Sequence, residues 1–117
     1  MNQKHVPDRE HCQELDRLCK EKGIVVPETD MYWQTYPEGE TRLVTGINSF
    51  ANPKNIHVPA PLVSELGEFL PNTEECISRK EPNNKEWRCG NQIEGTEANA
   101  RMKCLNYLIA EGIVTVL

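Results

Sequence analysis

The chain has 117 residues, 38% of them apolar and 26% charged, with a formal net charge of −5. That length fits one domain, which buries roughly two-thirds of its unfolded surface and needs neither disulfide nor metal to fold, and the apolar content excludes a disordered chain. The 13 Lys and Arg residues are scattered among Glu residues with no basic patch, so the acidic balance argues against a nucleic-acid partner.

Residues 1–6 are expected to be a flexible N-terminus. Pro7-Asp8 opens the first helix, in which Cys12, Leu15, Leu18 and Cys19 fall at helical spacing on one narrow apolar face. Gly23 followed by Ile24 is the Schellman pattern of a helix end, and Lys20 and Lys22 suit the negative pole of the helix dipole. Ile24-Val25-Val26, stopped by Pro27, reads as a brief strand or a docking segment. Residues 31–36 are rich in aromatics and 41–47 in β-branched side chains. With Pro37-Glu38-Gly39-Glu40 between them, they predict a β-hairpin with a four-residue loop. That loop sets Tyr36 opposite Thr41, Gln34 opposite Leu43 and Trp33 opposite Val44. Met31, Trp33 and Val44 would then share one face, and Tyr32, Tyr36 and Leu43 the other.

Residues 48–59 read as a loop in which Ile56 and Val58 could pair briefly with a strand. Pro61 suits the first position of a second helix, whose buried face is Leu62, Leu66, Phe69 and Leu70 and which Pro71 ends; Glu65 and Glu68 point elsewhere. Residues 75–79 and 86–89 suggest a second hairpin with two possible registers. If Pro82 and Asn83 are central, Cys76 faces Cys89; if Asn83 and Asn84 form the turn, Ser78 faces Cys89. Thr96 is the expected N-cap of the last helix, with Ala98, Met102, Leu105 and Ile109, widened by Leu108, as the stripe at the centre of the core. Gly112 closes it, and residues 113–117 are apolar enough to dock as a short C-terminal strand or tail. The fold class is α+β: a single domain over residues 1–117, in the order α-ββ-α-ββ-α, with an antiparallel sheet built from the two hairpins and carrying the helices on one face.

No stretch approaches the roughly 18 apolar residues of a membrane span, and the N-terminus lacks the apolar centre of a signal peptide. The expected setting is therefore cytoplasmic, with no membrane partner. There the five cysteines read as free thiols serving as small apolar side chains. A metal site is not expected. Cys12 and Cys19 are about 10 Å apart along a helix, and although Cys76 and Cys89 could meet across the second hairpin, the other ligands would have to come from His57 or Cys104 by folding. No Cys–His dyad, phosphate loop or Gly-x-Ser-x-Gly motif is present. The Glu65 and Glu68 pair reads as a solvated face. Neither a cofactor nor a catalytic residue is assigned. Tyr32, Tyr36 and Leu43 are the candidate binding patch if their sheet face is open, and His57 is the candidate titrating group beside the 48–59 loop.

Three segments read together as a family pattern: residues 15–23 followed by Met31-Tyr32-Trp33; Pro59-Ala60-Pro61-Leu62-Val63-Ser64-Glu65-Leu66-Gly67-Glu68-Phe69-Leu70-Pro71; and Thr96-Glu97-Ala98-Asn99-Ala100-Arg101-Met102-Lys103 through Leu108-Ile109. In this order they resemble small uncharacterised proteins carried by prophages and integrated elements of Bacteroides-type gut bacteria. The one departure is Asn99, where an acidic residue is expected. The resemblance implies a bacterial or phage origin, a cytoplasmic setting and one compact domain, and it carries no activity. The expected function is a non-enzymatic accessory or protein-binding domain of a mobile element. Its contact surface would be the Tyr32 and Tyr36 face or the apolar residues 113–117, and its partner another protein or a second copy of the chain. The alternatives are a small enzyme with a cleft near the 48–59 loop and, against the charge, a nucleic-acid-associated protein.

Overall fold

A computed structural model describes residues 5–45, 54–73, 76–83 and 85–117. Among the described residues, three α-helices, α1 (Arg9–Lys22), α2 (Val63–Phe69) and α3 (Glu97–Ala110), accompany six strands: β1 (Met31–Thr35), β2 (Thr41–Thr45), β3 (Ile56–Pro59), β4 (Arg79–Lys80), β5 (Trp87–Cys89) and β6 (Gln92–Glu94). The fold is α+β, and both sheets are antiparallel. The hairpins do not share a sheet, however. Each recruits a third strand of its own, giving the orders β2-β1-β3 and β4-β5-β6. β3 contains the Ile56 and Val58 pairing anticipated from the sequence.

The first segment is more ordered than its position suggests. Val6 is 2% exposed and belongs to the core, and Pro7 is fully buried beside it. The Pro7 carbonyl accepts from the Trp33 Nε1–H at 3.0 Å and from the Cys12 thiol at 3.6 Å. The expected flexible stretch therefore stops short of Val6, because an apolar pair at a helix entrance gains by docking; residues 1–4 lie outside the described residues. In α1 all four predicted apolar positions are buried. Gly23 takes the left-handed conformation at φ 71°, and the Ile24 N–H reaches back to the Cys19 carbonyl at 2.8 Å. Residues 24–26 form no strand: Ile24 and Val26 pack on the core while Val25 is exposed.

The first hairpin is shifted by one residue from the expected register. Thr35 faces Thr41, Trp33 faces Leu43, and Tyr32 faces Val44. The loop is the cause. The Tyr36 N–H donates to the Glu40 carbonyl at 2.8 Å, and the Gly39 N–H donates to the Tyr36 carbonyl at 2.9 Å. Gly39 sits at φ 98°. This is a three-residue loop, a type I turn led by Pro37 and closed by a left-handed glycine. A slip of one residue exchanges faces, so Leu43 joins Trp33 and Val58 on the side packed toward the core, and the face expected for Tyr32, Tyr36 and Leu43 is divided.

Pro61 is buried but stands just before the N-cap rather than at the first helical position of α2. The helix starts two residues later, at Val63, because the Glu65 carboxylate accepts from the Leu62 N–H at 2.8 Å. Glu65 is thus a capping residue and not a free surface charge. Leu70 leaves the helix in an extended conformation, as the residue before Pro71 must.

In the second hairpin Arg79 faces Arg88 and Lys80 faces Trp87, and the Glu81 N–H donates to the Glu86 carbonyl at 2.8 Å. This is the register centred on Asn83 and Asn84, the second alternative. The Asn83 side-chain oxygen accepts from the Lys85 and Glu86 N–H groups at 3.0 and 3.3 Å, an Asx turn that selects it. Asn84 itself lies outside the described residues, as do Glu74 and Glu75. β4 is shorter than expected, with Cys76 in a helical turn ahead of it.

α3 is the centre of the molecule. It packs on α1, α2, β5 and β6, and only Tyr107 and Ala110 along it are exposed. The expected stripe is fully buried, and Asn99, Ala100, Cys104 and Asn106 are buried too. The Thr96 hydroxyl caps the helix by accepting from the Asn99 N–H at 3.2 Å. Gly112 ends it at φ 77°, with the Ile113 N–H bonded to the Leu108 carbonyl. Residues 114–117 form no strand: Val114 is buried and Leu117 packs on the core, while Val116 stays exposed. The tail docks through Val114 and Leu117, three residues apart, rather than through the alternate side chains of a strand.

Candidate functional site

The C-terminal half of α3 and sheet β4-β5-β6 together border a hollow of mixed chemistry. A cavity of about 530 Å³ is lined by Cys76, Arg88, Cys104, Tyr107, Leu108 and Ile113, with the Gly90-Asn91 turn at its edge. α3 supplies Cys104 and Tyr107, the Gly112 helix end turns Ile113 back toward the cavity, and β5 supplies Arg88. Tyr107 is 42% exposed and Ile113 63%. These apolar groups therefore meet solvent beside a charged side chain whose Nε already donates to Glu81 at 2.5 Å.

Two of the five thiols, Cys76 and Cys104, line this cavity, and Cys89 is fully buried in the core nearby. The Cys89 Sγ donates to the Cys76 carbonyl at 3.3 Å. Cys104 lies within the electrostatic reach of both other thiols. The Cys104 thiol holds Cys89 below the usual range against the opposing effect of burial, and the Arg101 cation adds to the lowering. Cys104 is pushed the other way, first by its bond to Cys89 and then by burial. The remaining two thiols behave as packing groups. Burial pushes Cys12 up to about 12 and raises Cys19 as well. Among the described residues, no group of three His, Cys, Asp or Glu side chains is arranged to hold a metal ion.

A second polar cluster fixes the opposite end of α3. Arg101 donates from Nε to the Ser78 hydroxyl at 3.0 Å, from Nη1 to the Val63 carbonyl at 2.6 Å, and from Nη2 to Glu97 at 3.2 Å. Ser78 in turn donates to the same Glu97 carboxylate. The arrangement works as a staple between α2, α3 and the turn before β4. Gly67 makes room for it: a Cβ there would lie 2.8 Å from the Arg101 Nη1.

The residues singled out from the sequence lie elsewhere, on sheet β2-β1-β3. Tyr32 is buried, with its hydroxyl accepting from the Thr29 N–H at 3.4 Å. Tyr36 is half-buried at the hairpin end, with the Arg42 guanidinium 5.8 Å from its ring centroid. His57 is half-buried on β3 opposite Gln34, on the same face as Tyr32. Leu43 is on the reverse face beside Trp33. The fold brings Tyr32 and His57 to one side and separates Leu43 from them. Residues 46–53, which hold most of the loop proposed to border an enzymatic cleft, lie outside the described residues.

Sequence reading noticed the possible meeting of Cys76, Cys89 and Cys104 but gave it no function, and it missed Arg88 and Tyr107 as neighbours. The available signal was Cys89-Gly90-Asn91-Gln92, a two-residue hairpin cue; Gly90 has φ 61°, and Cys89 faces Gln92 across the turn. Recognising β6 there would have placed sheet β4-β5-β6 against α3. Comparison with protein-family models, curated proteins and solved structures finds no match.

Proposed function

We propose that the chain is an accessory protein of a bacterial mobile element that works by binding another polypeptide, without catalysis of its own, through the apolar rim at the C-terminal end of α3. The observation that carries this reading is the exposure of Tyr107 and Ile113 at the mouth of a cavity of about 530 Å³. Val116, further along the tail, is 78% exposed. Large apolar groups beside a concavity are the anchors that protein interfaces favour. The mobile-element origin rests on the resemblance in sequence, whose residues serve here as caps and core: Gly23 ends α1, Glu65 starts α2, and Glu97 with Arg101 forms the staple. A cytoplasmic setting belongs to the same proposal. Among the described residues, no helix is long and apolar enough to cross a membrane.

The test compares the full chain with Ile113→Asp. The intact protein is expected either to self-associate in sedimentation at high concentration or to retain a stoichiometric partner from its bacterial host. The variant, with its circular dichroism unchanged, is expected to lose at least about tenfold in affinity, the loss of one anchor residue. A chain that stays monomeric and retains nothing overturns the reading, and so does a variant that binds as well as the parent.

A further inference from the structure

We propose that the outer edge of β2 docks a second copy of this chain, the two β2 strands pairing antiparallel about a two-fold axis at Leu43. Among the described residues no strand lies beyond β2, which is one edge of sheet β2-β1-β3. Unpaired N–H and C=O groups along such an edge are a template for a further strand, and folded chains blunt their edges with proline, charge or short length. The edges formed by β3, β4 and β6 carry those devices. β3 ends in Pro59, which has no N–H to offer. β4 has two residues, both basic, and β6 has three, ending in Glu94. β2 has five, with a single charge, Arg42. That side chain is turned back along its own strand: its Nη2 lies 2.8 Å from the Glu40 carboxylate, and its guanidinium stands 5.8 Å from the Tyr36 ring centroid.

The alternation of antiparallel hydrogen bonds fixes which groups face outward. The Tyr36 N–H donates to the Glu40 carbonyl at 2.8 Å, so in the observed register Gln34 bonds with Arg42, and Tyr32 with Val44. The Ala60 N–H donates to the Met31 carbonyl at 3.0 Å, which independently turns Met31, Trp33 and Thr35 toward β3. Their partners on β2, namely Thr45, Leu43 and Thr41, therefore direct their N–H and C=O groups away from β1.

This outward set is self-complementary. A two-fold axis at Leu43 sets Thr41 opposite Thr45 of the second copy, Leu43 opposite its equivalent, and Arg42 opposite Val44. Every outward residue then meets an outward residue, and each of those pairs can exchange both of its bonds. The neighbouring register, centred on Arg42, would set two guanidinium groups directly opposite, which like charge disfavours. Charge thus selects the Leu43 axis. The contact is isologous and closes as a dimer, and Pro59 at the far edge of each sheet stops further growth.

The experiment follows amide hydrogen exchange of the full-length protein by NMR at low micromolar and at millimolar concentration. The Thr41, Leu43 and Thr45 amides are expected to slow by about tenfold or more at the higher concentration, with the gain confined to these alternate residues of β2. Thr45→Pro removes one outward N–H per copy and no bond to β1. With its circular dichroism unchanged, it is expected to weaken dimerisation in sedimentation by about tenfold or more. Ile113→Asp is expected to keep the added protection, which separates this edge from the rim proposed above. Exchange at the three amides that is the same at both concentrations overturns the proposal. So does a gain shared equally by Arg42 and Val44, or one that Ile113→Asp abolishes. Because exchange in the wild-type protein decides the matter alone, the outcome does not depend on either variant folding.

Discussion

Replacing Leu105 by alanine is expected to remove about 2–5 kcal/mol of stability. Leu105 is fully buried on α3, which packs on α1, α2, β5 and β6. Truncation removes the transfer free energy of the lost methyl and methylene groups and leaves a void that no one neighbour can fill, since the surrounding elements are held by different contacts. A domain of this size has about 5–15 kcal/mol in total. The melting temperature should fall by on the order of 10 °C or more. Tyr107→Ala, two residues along on the exposed side, is the control: it should change stability by less than about 1 kcal/mol. Chemical denaturation of the two variants reads the difference. Equal losses would mean that α3 is not the buried element described.

Asn99→Asp is expected to destabilise the protein by about 1–4 kcal/mol at neutral pH, the Coulomb cost of two carboxylates near 4 Å in an environment between bulk water and a protein surface. Asn99 is 7% exposed and joins the start of α3 to the start of α1. Its side-chain oxygen accepts from the Asp8 N–H at 2.7 Å, and its Nδ2 donates to the Asp8 carboxylate at 3.0 Å. Aspartate keeps the first bond, but it replaces the second with a like charge. The Asp8 charge and burial both raise the pKa of the introduced carboxyl in the folded state above its unfolded value. The folded variant therefore binds protons more readily than the unfolded one, and its deficit against the wild type should shrink as pH falls from the raised folded-state pKa toward the unfolded value of about 4. Adding Asp8→Asn should restore most of the loss at pH 7. A deficit that is independent of pH and insensitive to that second change would mean that the contact is not the one described.

The helices were legible in the sequence because their signals are local. The α1 stripe, the Gly23 stop, the Thr96 cap and the α3 stripe all lie within a few residues of the structure they specify. The strands were less legible because pairing depends on the turn. Counting Glu40 into the first loop moved every partner by one and placed Leu43 on the wrong face, although the Pro37-Glu38-Gly39 sequence suits the three-residue turn that forms. The second register was open because Asn83 serves both turns until its side chain is seen bonding to Lys85 and Glu86. The thiol cluster was half legible. Hairpin geometry suggested that Cys76 and Cys89 could meet, but the docking of Cys104 against them depends on α3 crossing a sheet whose third strand had not been read. Nothing local to Val6 signalled its burial, which depends on Trp33 reaching the Pro7 carbonyl.

Native-state hydrogen exchange along α3 tests the central claim most directly, that this helix is the element on which the rest of the molecule is assembled. Amides of residues 102–109 should be among the slowest to exchange, opening only with the free energy of global unfolding and losing protection in step with denaturant. If those amides exchange through a local opening, while α1 or strand β1 retains protection without them, the helix is peripheral and the account of both the core and the cavity beside it fails.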